Sequence, residues 1–440
     1  MLEGGFHTAF YISNTQKMAD RLDIVIFGAT GYTGKYVVKH ATHICKEQNV
    51  KFGIAGRRKE ALQAVVKEFA SDIENVPIIL ADIKDEESLR KMTKQARVLI
   101  NCCGPYGLYG EPVVKACIAT RTHHIDVTAE DEFPAKIELE CNQAAQEAGI
   151  YVVSACGSIC IPSDLGIIFT QQKFDGEINS VEVYMKFWSH STDKESPVLN
   201  HTSWDTMIYN FAARSKLQEL HTKLCPTKLP KFTPQLTSKS MPHRSDVSEG
   251  WSLPYVGPDH SLALRTQRFL YDKYKERPAQ VQIYVTFKSF FDVLITYIAL
   301  MIILCMCRTE YTRNLLLKYP SLFSYGMASN ERVEPGMLKS VCFSMIFKAY
   351  GWTEKLAEPT DEHTDRPNKK VITKLSSDFS GYDFSGIVTI LSAITILNEA
   401  DKMPDNGGVF TPGAAFGKTS IIQQISDHNI KFEVISSTVE

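Results

Sequence analysis

The sequence predicts an α/β protein: a doubly wound, Rossmann-type parallel sheet, then a second α+β domain with a mixed or antiparallel sheet. Three observations carry this. Short apolar runs alternate with helix-period segments over residues 21–155, the order that gives parallel strands joined by crossover helices. The first run, residues 22–27, ends in three spaced glycines and a helix. After residue 175 the pattern changes to period-two alternation, at residues 178–187 and 281–287, which reads as antiparallel strands.

The opening unit is strand, tight turn, helix. Gly28-Ala-Thr-Gly-Tyr-Thr-Gly34 matches the phosphate corner of a dinucleotide-binding βαβ unit, spaced G-x-x-G-x-x-G. Gly28 turns the chain sharply. Gly31, without a Cβ, lets the backbone approach a pyrophosphate, and Gly34 lets the helix pack on the strand. Thr30, Tyr32 and Thr33 complete the loop. The helix start offers free N–H groups and a positive dipole end to the phosphates.

The second strand, residues 50–58, ends in Arg57 and Arg58. An NAD enzyme usually places Asp or Glu here to hold the ribose 2′-hydroxyl. Two guanidinium groups suit a 2′-phosphate instead, because arginine donates paired hydrogen bonds to phosphate. NADP is therefore favoured over NAD. The alternative is that both arginines merely open the next helix, residues 59–69, as solvated charge.

The third strand, residues 77–82, brings Asp82 beside the adenine, and Asp85 or Ser88 starts the next helix. The fourth, residues 97–103, runs into a glycine-rich exit at 104–110, where ligands bind in open α/β sheets. Asn101, Cys102, Gly104 and Pro105 are expected at the nicotinamide half of the cofactor. Tyr106 and Tyr109 either reach for substrate or pack against their own turn. A helix over 112–120 precedes His123 and His124, which read better as a strand edge than as metal ligands, and no metal site is expected. A helix over 134–148 and a strand over 150–154 complete the sheet, and residues 157–166 lead out of it.

The domain reading is a flexible leader over 1–19, a nucleotide-binding domain over 20–166 and a second domain over 167–400, with 401–440 supplying a closing helix and strand. A long insert with Pro226, Pro230, Pro234 and Pro242 is expected to hold one helix, 204–220, and loops. The leader is polar and lacks the apolar core of a secretory signal. A net charge of −2 gives no argument for nucleic acid. Eleven cysteines without paired metal spacing read as reduced thiols in a cytosol-facing protein.

Residues 293–307 contain no charged side chain. The run falls short of the roughly 20 residues that a bilayer span needs. It is apolar on every face, unlike an ordinary surface helix. Two readings stand: a helix buried in the second domain or at a homodimer interface, or an anchor dipping 290–307 into a lipid surface. In the second, Val293, Leu294, Ile295, Ile298, Leu300, Ile302, Ile303 and Leu304 meet lipid, with Lys288 and Arg308 at the polar boundary.

These motifs resemble the saccharopine dehydrogenase-like oxidoreductases over nearly the whole length. The residues that carry the resemblance are the glycine turn, Ala55-Gly-Arg57, Asn101-Cys-Cys-Gly-Pro-Tyr-Gly107, Ile161-Pro-Ser-Asp-Leu-Gly166, Leu264-Arg-Thr-Gln-Arg268, Leu315-Leu-Leu-Lys-Tyr-Pro320 and Phe410-Thr-Pro-Gly-Ala-Ala-Phe416. The resemblance implies a Rossmann domain with a mixed-sheet partner and association with lipid droplets and mitochondria. Through bacterial relatives that act as enoyl reductases, it also implies a link to lipid or glycolipid metabolism. One departure stands out. The family usually reads Gly-Phe-Asp-Ser-Ile-Pro-x-Asp after the last Rossmann strand. Here Gly157 is followed by Ser158, Ile159, Cys160, Ile161 and Pro162, so the first acidic position holds Ile159 while Asp164 remains.

The resulting expectation is an NADP-dependent oxidoreductase at a lipid-droplet or membrane surface facing the cytosol, reducing a C=C or C=O bond in a lipid-like substrate. Tyr106 and Asp164 are the candidate proton donors. The alternative is a non-catalytic lipid-droplet protein that retains the dinucleotide fold.

Overall fold

The computed structural model describes residues 21–189, 199–227, 229–230, 232–329 and 341–440. The leader read over residues 1–19 lies outside the described residues.

The first half alternates as expected: β1 (Leu22–Phe27), α1 (Tyr32–Glu47), β2 (Phe52–Gly56), α2 (Lys59–Phe69), β3 (Ile78–Leu80), α3 (Glu86–Thr93), β4 (Ala96–Asn101), α4 (Tyr106–Thr120), β5 (His123–Asp126), α5 (Glu132–Ala148), β6 (Tyr151–Val153) and α6 (Ile161–Lys173). The strands pair in parallel, in the order β6-β5-β4-β1-β2-β3. Their cores are buried on both faces, as in β2, which is why they read as continuous apolar runs.

The helix placed at 112–120 begins earlier, at Tyr106. Pro112 looks like a first helical residue because proline favours that position. The Glu130 carboxylate instead nucleates an earlier turn by accepting the Tyr106 and Gly107 amides.

The second half runs β7 (Glu177–Trp188), α7 (His201–Ala212), α8 (Arg214–Leu224), β8 (Trp251–Pro254), α9 (Asp259–Tyr274), β9 (Gln280–Phe287), α10 (Phe290–Met306), α11 (Glu310–Lys318), α12 (Pro320–Phe323), β10 (Cys342–Trp352), β11 (Lys369–Ser377), α13 (Gly381–Asn398), β12 (Gly408–Phe410), α14 (Pro412–Phe416), α15 (Ile421–Asp427) and β13 (Lys431–Val439). Its sheet is mixed, in the order β13-β11-β10-β7-β9-β8.

β7 and β9, both read as antiparallel, pair in parallel with each other. The chain between them is a long crossover rather than a hairpin, and a crossover is what parallel pairing needs. β7 is antiparallel to β10 on its other side. The single helix expected over 204–220 is two, broken at Ala213.

The tail divides between the sheets. β12 adds a seventh parallel strand beside β6, and β13 pairs with β11 at the edge of the mixed sheet. One core runs through both halves, from Ile24 and Val37 through Phe384 and Ile390 to Phe347 and Val371. Gly166 is where α6 meets the second sheet. A Cβ there would lie 2.0 Å from the Phe347 ring.

α10 is not buried inside the second domain. It rests on a small core of Trp204, Ile208, Ile303, Cys307, Leu316 and Ala328. Of the eight residues read as lipid-facing, Val293 and Ile303 point inward and are buried. The helix must be fixed to the protein along one stripe, and these two residues form it. Leu294, Ile295, Ile298 and Ile302 point outward, with Leu300 and Leu304 half-buried between.

Candidate dinucleotide and substrate site

The glycine turn closes β1 onto α1. Gly28 has φ +81, in the left-handed region, and an added Cβ would crowd the Cys102 backbone. At Gly34 a Cβ would lie 2.2 Å from the Gly28 carbonyl oxygen, so the helix packs on the turn only without a side chain there. Gly31 caps α1 with no side-chain bond, and the first turn holds no acidic residue. The hydroxyls of Thr30 and Thr33 form no hydrogen bond among the described residues. This helix start is open to an anion. Tyr32 turns sideways, its ring 4.5 Å from that of Tyr382 at the start of α13.

Arg57 and Arg58 follow β2 and are exposed. Neither side chain has an acidic partner among the described residues. Asp82, just past β3, holds the Lys84 amide on Oδ1 at 3.0 Å. Asn101, at the end of β4, is fully buried and accepts the Cys103 amide on Oδ1 at 3.0 Å. Its Nδ2 is buried without a partner. A buried, unsatisfied donor at a strand's carboxyl end is unusual. Cys102 holds the Phe27 carbonyl through its amide at 2.8 Å, and burial raises its thiol pKa. Gly104 and Pro105 form the link into α4. An open helix start, two unpaired guanidinium groups and an orphaned amide donor fit a phosphorylated dinucleotide.

The two residues read as proton donors both bond to the protein, although Asp164 Oδ1 is buried without a partner among the described residues. The Tyr106 hydroxyl donates to the Asn101 carbonyl at 3.0 Å, and its ring packs on Phe133. Burial drives its pKa well above the usual phenol value. Asp164 accepts from the Gly413 amide at 2.6 Å and from Thr266 Oγ1 at 2.8 Å. It thereby ties α6 to α9 and α14. Burial pushes its carboxyl up to about 7.

The structure brings other polar groups to this edge. Cys160, in the exit after β6, packs with Ala155 and with Leu262 of α9. Ser163 donates to Asp259 Oδ1 at 2.6 Å, while Asp259 Oδ2 is buried and unpartnered. Burial, first, and then neighbouring carboxylates push Asp259 up to about 7. Tyr255, between β8 and α9, is half-buried, and its hydroxyl has no partner among the described residues. Burial, reinforced by Asp259, Cys160 and Asp131, holds its pKa well above 10. Tyr255 and Asp259 carry no local spacing that would single them out, since they lie about 100 residues along the chain from the exit loop. Ile159 is exposed in that loop. His123 accepts the Tyr151 amide and His124 is buried in β5, so both are strand residues.

Residues 24–153 match the family model described as "Saccharopine dehydrogenase NADP binding domain", and the cofactor of this domain is NADP. Among solved structures, apo saccharopine dehydrogenase (L-Glu forming) from Saccharomyces cerevisiae superposes with a TM-score of 0.54 at 12% identity, covering 94% of this chain and 100% of that one; this shows the shared fold. A "Lipid droplet localized protein" of Caenorhabditis elegans is 31% identical, over 94% of this chain and 99% of its own length. The human "Saccharopine dehydrogenase-like oxidoreductase" is 33% identical over 428 residues, 94% of this chain and 97% of the relative. With that identity over nearly both full lengths, on the same two-sheet architecture, the chain belongs to the saccharopine dehydrogenase-like oxidoreductase family.

Proposed function

We propose that this protein is an NADP-dependent oxidoreductase that works at a lipid surface on a C=C or C=O bond of a lipid-like substrate. The observation that carries the reading is the pairing of an uncapped α1 start with two unpartnered arginines after β2. When bound, NADPH supplies a hydride. The chain's own residues bind and orient. The α1 amides take phosphate, Arg57 and Arg58 take the 2′-phosphate, and Asn101 Nδ2 offers a hydrogen bond at the nicotinamide half. The matching proton comes in this reading from Tyr255 Oη, a hydroxyl without a partner among the described residues and electrostatically coupled to Asp259 and Cys160.

The lipid-surface part rests on the outward face of α10 and on the likeness to the worm lipid-droplet protein. Ile159 favours a second reading. An apolar side chain stands where the family carries a carboxyl group, which suits a protein that holds the nucleotide without turning it over. Fluorescence titration with NADPH and NADH, followed by NADPH oxidation over a panel of long-chain enones and ketones, separates the two. Binding with turnover supports the enzyme, and binding without turnover supports the second reading. Binding of neither nucleotide overturns both.

A further inference from the structure

We propose that the cavity at the base of α10 binds the phosphate of an anionic lipid headgroup. This rests on the lipid-surface reading above and names what the surface must contain. The cavity has a volume of about 450 Å³ and is lined by residues 244–251 and Lys288. The Arg244 guanidinium lies 4.9 Å from the centre of the Trp251 ring. Trp251 in turn sits 4.7 Å from Phe290, the first residue of α10. Lys288 is exposed one residue before the Ser289 cap. Neither Arg244 nor Lys288 has an acidic partner among the described residues.

The acids in the lining do not cancel these cations. Asp246 is already held by Lys348 at 2.6 Å and Lys370 at 2.8 Å. Glu249 is exposed on the rim and is the opposing charge. Lys348 also faces Glu182 at 3.8 Å, so Arg244, Lys288, Lys348 and Lys370 stand against Asp246, Glu249 and Glu182, and the balance is positive by one. Ser245 and Ser248 add hydroxyl groups to the same wall.

Position decides the ligand class. The outward apolar residues of α10 begin at Phe290 and Phe291 and continue through Ile302, along a helix of about 25 Å at 1.5 Å per residue. With that face among acyl chains, Trp251, Arg244 and Lys288 stand at its polar boundary. Tryptophan favours that depth, and cations there meet lipid phosphates. A planar guanidinium braced on an aromatic ring keeps its donors set for phosphate oxygens. The shared chemistry is a phosphate ester, and the lipid is the source the geometry favours.

The test is flotation of the full chain with vesicles of phosphatidylcholine, with and without a minor share of phosphatidic acid. Two cations near the surface should give roughly tenfold to thirtyfold tighter binding to the anionic vesicles. Arg244→Gln with Lys288→Gln should lower that binding to the phosphatidylcholine level, leaving neutral binding unchanged. Both side chains are exposed, and a melting curve confirms that the variant folds. Equal binding to both vesicle types, or a double variant that keeps the preference, overturns this proposal alone. Absence of binding to every vesicle overturns it together with the lipid-surface reading. Displacement by inorganic phosphate at matched phosphorus concentration assigns the cavity to a soluble phosphate and overturns the headgroup.

Discussion

Glu130 holds the Tyr106 amide at 2.7 Å, and its second oxygen takes the Gly107 amide at 2.8 Å. One carboxylate therefore closes the start of α4, while the start of α1, which follows the neighbouring parallel strand β1, stays open. The protein supplies its own anion at one helix and leaves the other for phosphate. Glu130→Ala should cost about 0.5–2 kcal/mol of stability, the range for lost N-terminal caps. Glu130→Gln keeps one acceptor oxygen but turns a donor NH2 towards the other amide, so it should recover only part of that loss. Thermal melts of both variants check this, and an alanine variant that melts with the wild type would remove Glu130 from the account of α4.

Arg57 and Arg58 should discriminate between nucleotides. Substituting both with alanine should weaken NADPH binding by roughly tenfold to a hundredfold, as expected when charge-assisted phosphate contacts worth about 1.5–3 kcal/mol are lost. NADH, lacking the 2′-phosphate, should bind the variant as it binds the wild type. Parallel titrations decide it. An equal loss for both nucleotides would mean that the arginines support the fold of the β2 exit rather than recognise phosphate.

The buried carboxyls make a prediction about pH. Asp164 and Asp259 are both pushed up to about 7 from 3.8. Between those values the folded protein holds protons that the unfolded chain releases, so their contribution to stability falls as pH rises towards 7. Asp246, drawn down to about 2 by Lys348 and Lys370 despite partial burial, acts in the opposite sense. Its contribution is present above 3.8 and lost only as pH falls through about 2. His123 and His124, lowered by burial to about 4 and about 3, also favour higher pH up to 6.5. The informative quantity is therefore a difference. Asp259→Asn keeps an acceptor for Ser163 and cannot ionise. Its Tm relative to wild type should rise between pH 5 and 8 by a few degrees. A constant offset over that range would show that Asp259 does not titrate there.

The glycine turn was legible because its meaning is local: a left-handed φ at Gly28 and a 2.2 Å approach at Gly34 can be met only by glycine. Tyr106 and Asp164 could not be assigned from the sequence, because a polar residue near a strand end looks the same whether its partner is substrate or a backbone group such as the Asn101 carbonyl or the Gly413 amide. α13 was illegible for another reason. Its residues from Phe384 to Ile396 are buried on every side, so no amphipathic period betrays a helix. β12 is three residues long and joins β6 from more than 250 residues away, a pairing that no local pattern encodes. Asp259 reaches the exit loop only through the packing of α9 on Cys160 and Ser163.

α10 offers a contrast within one helix. Ile295 is 57% exposed and Val293 is fully buried, two residues apart. Ile295→Asp places a charge in solvent and should leave the unfolding free energy within about 0.5 kcal/mol of wild type, as surface changes do. The same charge on a face that enters lipid must be desolvated, so vesicle or droplet binding should fall steeply. Val293→Asp should do the reverse of a clean separation. It buries an unpaired carboxylate beneath the helix and should destabilise the protein by several kcal/mol, with loss of soluble yield. If Ile295→Asp binds lipid as the wild type does while remaining folded, the outward face of α10 is not the one that meets the lipid surface. The buried stripe under Val293 and Ile303 would then be read simply as the seam of a solvent-exposed apolar helix awaiting another protein.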